Sequence, residues 1–223
     1  MKYVLLIVLF ALTTIPSVQE PTGYELLKTK METRRQEFQK LFNAADSIKK
    51  DSLIRKAREY VFAEITQKMF PHWYGTPWDY NGTTVVPGEG TIACGYFVTT
   101  VLRDAGLRIP RVKLAQCASE PMIKKFTKDI KRFHNRDIDD VIAYLKKRED
   151  GLYIAGLDSH TGFIYKKGTT MKFVHSSYYE AEKGVMAQEL DSWNPLRDSR
   201  YRVIGRMLGD EMMKKWINGE GWE

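Results

Sequence analysis

Helical periodicity as far as Gly151, then short apolar runs between turn signals, predict an α+β domain with helices first and an antiparallel sheet after. A third observation joins the two halves. After Gly90-Thr91-Ile92-Ala93, Cys94 opens an amphipathic helix whose apolar face needs a sheet to pack on. The chain has 223 residues, 43% hydrophobic and 28% charged, enough to bury one core; a single main domain with an appendage is expected.

Lys2 precedes the apolar run Tyr3 to Leu12, which gives way to Thr13, Thr14, Pro16 and Ser17. This is the layout of a secretory signal peptide over residues 1–19, cut between Ser17 and Glu20. A membrane anchor would need about 20 apolar residues, and this run is about half that. A secreted or periplasmic protein is therefore expected. The formal charge of +7 becomes about +6 without Lys2, an excess that favours an anionic wall or membrane surface. Basic residues are interspersed with acidic ones, so no nucleic-acid partner is expected.

Residues 20–70 form an N-terminal helical arm or cap. Tyr24, Leu27, Met31, Phe38, Leu41, Ala45 and Ile48 recur at spacings of three and four, with Arg34 in the one polar slot. A second helix is expected from a cap at Asp51-Ser52, running through Ile54, Ala57, Val61, Ile65 and Met69 until Pro71 ends it. Between Pro71 and Gly90 the composition turns to aromatics, Gly and Pro, which predicts a loop lining a site. The helix from Cys94 buries Phe97, Val98, Val101, Leu102 and Ala105, and Gly106 suits its C-terminal cap. Two more helices are expected, one around Met122 to Phe133 and one from Asp137 through Leu145, with Gly151 closing the region. Runs at 152–156, 162–165, 171–175, 184–187 and 201–207 read as strands, and Asp210 to Ile217 as a terminal helix.

A cysteine in the first turn of a helix meets free backbone amides and the positive end of the dipole, which stabilise a thiolate. Cys94 is therefore the candidate nucleophile. Its small neighbours Ala93 and Gly95 leave room for a substrate carbonyl, and its own amide can donate to an oxyanion. His160 and His175 follow in strand-like surroundings. If the strands turn at Lys167-Gly168, His160 lies opposite His175; with a four-residue loop from Lys167 to Thr170, His175 lies opposite Gly162, still on the His160 side. His160 would then be the general base and His175 would orient it through the second ring nitrogen. His72 and His134 lack such context, and His134 reads as a helix-end or surface residue. One Cys and two His also make an acceptable zinc set, which Asp158 could complete, but no close-spaced ligand motif is present and no metal or cofactor is expected. Asp158 otherwise begins a turn. A Cys94–Cys117 disulfide would remove the nucleophile, and a chain of this size needs no such staple.

The order Cys94, His160, His175, with the cysteine opening a helix and His-x-Gly opening a strand, resembles the NlpC-type cell-wall cysteine peptidases of the papain-like superfamily. The resemblance covers about Trp73 to Met207 in motif order, with His160-Thr161-Gly162-Phe163-Ile164-Tyr165 nearest the family's His-Val-Gly-Ile-Tyr strand. Tyr74-Gly75 stands where the family carries a Tyr ahead of Trp-Gly-Gly. By resemblance Tyr74 lines the site near the oxyanion, with Tyr80 a competing candidate and Gly95 beside the nucleophile. The family's Asp-Cys-Ser-Gly is here Ala93-Cys94-Gly95-Tyr96, which leaves the substrate preference open.

The resemblance implies a papain-like core over residues 71–223, a nucleophile-bearing helix on an antiparallel β-sheet behind the N-terminal arm. It also implies metal-free cleavage of amide bonds in peptidoglycan stem peptides, often between D-glutamate and a diamino acid. Two other outcomes stand beside it. One is a wall-binding or assembly protein on the same fold without catalysis, suggested by the altered residues around Cys94 and the helical arm. The other is a lipid amidase or acyltransferase with the same triad, suggested by the basic, aromatic-rich composition.

Overall fold

The computed structural model describes residues 23–222, and the expected leader at 1–19 lies outside them. The chain is α+β. Helix α1 (Gly23–Asn43) buries Tyr24, Leu27, Met31 and Phe38, as the spacing requires, but Leu41 and Ile48 of the same series are exposed. The series breaks because Asp46 accepts the Lys49 amide at 2.9 Å and caps α2 (Ser47–Glu64), ahead of the expected cap at Asp51-Ser52. Pro71 does not end this helix. A widened, π-type turn at Ile65–Met69, in which the Phe70 amide reaches the Ile65 carbonyl, carries the chain into α3 (Phe70–Trp73). Proline lacks an N–H and crowds the preceding turn, and the wider turn accommodates both.

Next come α4 (Cys94–Asp104), α5 (Arg111–Ala115) and α6 (Ser119–Phe126). The helix expected to reach Phe133 stops short. Met122, Phe126, Ile130 and Phe133 all fit helical spacing, but Thr127 is extended (φ −150°, ψ 150°) and its Oγ1 accepts the Asp129 amide at 3.0 Å. The chain turns there, and Ile130–His134 becomes the edge strand β1. His134 thus ends a strand, not a helix. After α7 (Ile138–Lys146), Gly151 does not close the region but begins β2 (Gly151–Leu157). The rest is β3 (Thr161–Lys167), β4 (Thr170–Ser176), β5 (Val185–Glu189), α8 (Pro195–Asp198), β6 (Tyr201–Arg206) and α9 (Asp210–Asn218).

The sheet runs β1-β6-β2-β3-β4-β5, every neighbouring pair antiparallel. Alternation along the strands divides the core. Leu152, Ile154, Phe163 and Val174 pack with Phe97, Val98 and Val101 of α4, whereas Tyr153, Ala155, Ile164 and Phe173 pack with Val141 and Leu145 of α7 and Leu196 of α8. The N-terminal helices extend the α4 layer. Trp216 of α9 donates to the Ala105 carbonyl at 2.7 Å and Arg35 of α1 to the Ile217 carbonyl at 3.0 Å. The Trp73 indole donates to Tyr24 Oη at 2.8 Å, and Tyr24 in turn to Asp104 at 3.1 Å.

The aromatic loop after α3 is sewn onto β5. Gly75 donates to the Val185 carbonyl and Val185 to that of Thr76, both at 2.9 Å, and Trp78 donates to Ala181 at 2.8 Å. Gly184 is required there twice over, since its φ is +56° and a Cβ would overlap the Thr76 carbonyl. Gly184→Ala is expected to cost about 3 kcal/mol, from left-handed strain plus the overlap, read as a lowered denaturant midpoint.

Candidate active site

Cys94 is positioned from three directions. Ala93 is extended (φ −77°, ψ 157°) ahead of α4 and its amide donates to the Gly82 carbonyl at 2.9 Å. The Ile92 amide reaches Pro77 at 2.9 Å, and Ser176 at the end of β4 donates to the Ile92 carbonyl at 2.7 Å. Gly95 has a packing reason: a Cβ there would overlap the Ala115 carbonyl, so its small size lets the α5 backbone dock on α4. That accounts for Gly95 without the substrate carbonyl expected to need the space.

The hairpin turns at Gly168-Thr169, with Lys167 opposite Thr170 and Phe163 opposite Val174. This is the register that brings Gly162 against His175, reached through a two-residue turn instead of a four-residue loop. A Cβ on Gly162 would lie 2.7 Å from that of His175 and 2.6 Å from the Phe173 ring. His160, just before β3, points its Nε2 at Nδ1 of His175 (2.9 Å), the rings perpendicular with centroids 5.0 Å apart. Phe173 stacks on His175 at 4.3 Å, and Tyr178 packs edge-on against His160 at 5.2 Å. His175 passes the chain on, its Nε2 lying 2.8 Å from Oε1 of Gln188.

The thiol and the rings come from opposite layers and meet at the rim of the sheet. Cys94, Gly95, Tyr80, Ala115, Gln116, Ser159 and His160 line two adjoining depressions of about 340 and 440 Å³. Trp78, Asn81, Thr83, Tyr96 and Tyr178 extend one of them; Cys117, Ser119, Met122 and Leu157 extend the other. Among the described residues no hydrogen bond joins Cys94 to His160; the shared depression is what brings them together. Nδ1 of His160 is buried and has no hydrogen-bond partner among the described residues.

Burial dominates the electrostatics. The Cys94 thiol is pushed above its usual range by desolvation, although the amides of Thr161, Gly95 and Cys94 itself oppose this. The expected thiolate stabilisation is therefore outweighed. His160 is held well below the usual imidazole range by burial and then by His175, and His175 is brought down to about 4 by its own burial. At neutral pH the trio is a thiol and two neutral imidazoles.

The other expected residues separate. Tyr80 is on the lining, 80% exposed. Tyr74 is not among the lining residues; it lies near Tyr165, and burial pushes its hydroxyl up to about 12. Asp158 accepts the Arg200 and Tyr201 amides at 2.7 and 3.1 Å, the turn role. His72 packs on Tyr24 in a separate groove. The zinc alternative fails on direction, because Nε2 of His160 and Nδ1 of His175 face each other, and among the described residues no cluster of ligand types is arranged for a metal. Cys94 and Cys117 are both unpaired thiols, Cys117 exposed and donating to the Leu114 carbonyl at 3.2 Å.

Gln188 and Tyr178 were not singled out in the sequence. The run read as a strand ended at Ala187, one residue short of Gln188, and Tyr178-Tyr179 carried no periodic signal. No family model, curated protein or solved structure matches this chain.

The thiol's protonation is directly testable. Because its titration lies above the ordinary thiol range, alkylation of Cys94 by iodoacetamide in a Cys117→Ser background should be slow at pH 7. It should keep accelerating as pH rises beyond the point where a free cysteine levels off.

Proposed function

We propose that this chain is an exported thiol amidase on a papain-like core, with Cys94 as nucleophile, His160 as general base and His175 as the residue that orients it. The observation that carries the reading is the bare, buried Nδ1 of His160, in a ring that shares its depression with the Cys94 thiol. A polar atom buried without a partner calls for an explanation, and accepting the thiol proton supplies one here, as it does not for Trp78 Nε1 and Arg148 Nε, the other such atoms among the described residues.

In this mechanism Nδ1 takes the thiol proton, directly or through one water, as Sγ bonds to the amide carbon and the carbonyl electron pair moves to oxygen. The Cys94 amide donates to that oxyanion. Collapse of the tetrahedral intermediate breaks the C–N bond, and the departing nitrogen takes the proton back from Nδ1. Water then attacks the thioester, again losing its proton to Nδ1, and the thiol is restored. Because base and thiol both start neutral, attack and proton transfer are coupled.

Stem peptides of the cell wall are the substrate that the resemblance puts forward. One observation favours the second reading, a lipid amidase or acyltransferase: among the described residues the lining carries no free charge. Its one charged side chain, Asp158, is occupied by backbone amides, and nearby Arg111 is spent on Thr100 and the carbonyls of Thr83 and Thr84. A stem-peptide carboxylate would find no cation there, whereas Trp78, Tyr80, Tyr96 and Tyr178 suit an uncharged acyl group.

The test is cleavage of purified wall fragments beside neutral N-acyl amides, with products identified by mass. Wild type should cleave one class, and Cys94→Ala and His160→Ala should each lose roughly a thousandfold in kcat. A Cys94→Ala protein as fast as wild type overturns the proposal.

A further inference from the structure

We infer that Gln188 is the positioning residue that sets the tautomer of His160, an inference that rests on the thiol-amidase reading of this site. Gln188 touches neither the depression nor the thiol. It lies on β5 diagonally across from His175, whose direct partner in the ladder is Met186.

The argument runs from a group that can only accept. The Trp193 backbone carbonyl lies 3.4 Å from Nε2 of Gln188, so the amide presents its NH₂ to Trp193 and its oxygen to His175. Amide oxygen accepts and never donates, so Nε2 of His175 carries the hydrogen. Since His175 is neutral, its Nδ1 is then a lone pair, which accepts from Nε2 of His160. The proton of neutral His160 is thereby fixed on Nε2, and Nδ1 is left bare. Each link admits one direction only, so inverting the Gln188 amide would invert both rings, protonate Nδ1 and remove the base.

The loop that supplies the carbonyl is itself held. Asn194 donates to the Glu189 carbonyl at 3.0 Å and accepts the Arg197 amide at 3.0 Å, and the Trp193 ring packs on Tyr179 with centroids 4.8 Å apart. The carbonyl facing Gln188 therefore belongs to a fixed turn. A side chain without an acceptor at 188 would leave His175 free to take either tautomer.

The experiment is two-bond ¹H–¹⁵N correlation of the full chain labelled with ¹⁵N-histidine at neutral pH. His72→Gln and His134→Gln serve for assignment, and turnover is measured in parallel. In wild type both His160 and His175 should be protonated on Nε2. Gln188→Leu should mix the tautomers of both rings and lower kcat about twofold at unchanged KM, because the base then spends part of its time in the wrong form. Gln188→Glu, which keeps an acceptor oxygen, should restore the wild-type ring pattern. Protonation of His160 on Nδ1 in wild type, or an unchanged pattern in Gln188→Leu, overturns the inference. If Gln188→Leu does not fold, loss of the Nε2 pattern in Gln188→Glu does so instead. The ring pattern needs no substrate: expected tautomers with no cleavage of any amide would sink the amidase reading and leave the tautomer assignment standing.

Discussion

With Lys167 opposite Thr170, the pairing of β3 and β4 decides which side chains face α4 and which face α7. Phe163 and Val174 go to the layer that holds Cys94, and Phe173 and His175 to the other. A slip of one residue between them would turn β4 over relative to β3, taking Val174 from the α4 interface and sending His175 away from His160. The site and the core are thus two outcomes of one register. The Gly168 turn, at φ +58°, is where it is set.

The same arrangement explains why the trio is neutral. Phe173 and Tyr178 close around the imidazoles, and the cost of charging a ring in that setting exceeds what Gln188 and the carboxylate of Glu180 return. Cys94 has the helix-start amides that should favour a thiolate, and desolvation still wins. Burial thus keeps the thiol and both rings uncharged at rest, in contrast to a thiolate–imidazolium pair.

The α4 helix, the hairpin and the pairing of the two histidines were legible because they rest on short-range pattern: alternation in the strands, three-and-four spacing in the helix and parity across one turn. The errors share a cause. Met122 to Phe133 keeps helical spacing across Thr127, so periodicity alone had no means of seeing a strand begin at Ile130. Asp46 and Asp51 are both competent caps; Asp46 takes the Lys49 amide and the helix begins one turn earlier, on residues that bury nothing. Gln188 and Tyr178 act through contacts made across the sheet and a loop, which no local window contains. The packing reason for Gly95 lies outside any local window as well, in the Ala115 carbonyl.

That last contact has a consequence for how such a cleft can change. Where α5 meets α4, the surfaces that touch are backbone, the Ala115 carbonyl against the Cα of Gly95. The spacing between α4 and the wall at Gln116 and Cys117 is therefore fixed by main-chain atoms that side-chain substitution does not alter. Side chains around the depression, from Tyr80 and Tyr96 to Met122, hang from a frame whose width does not depend on them. Exchange of those side chains can reshape the depression while the distance between α4 and α5 stays constant, as long as position 95 remains glycine.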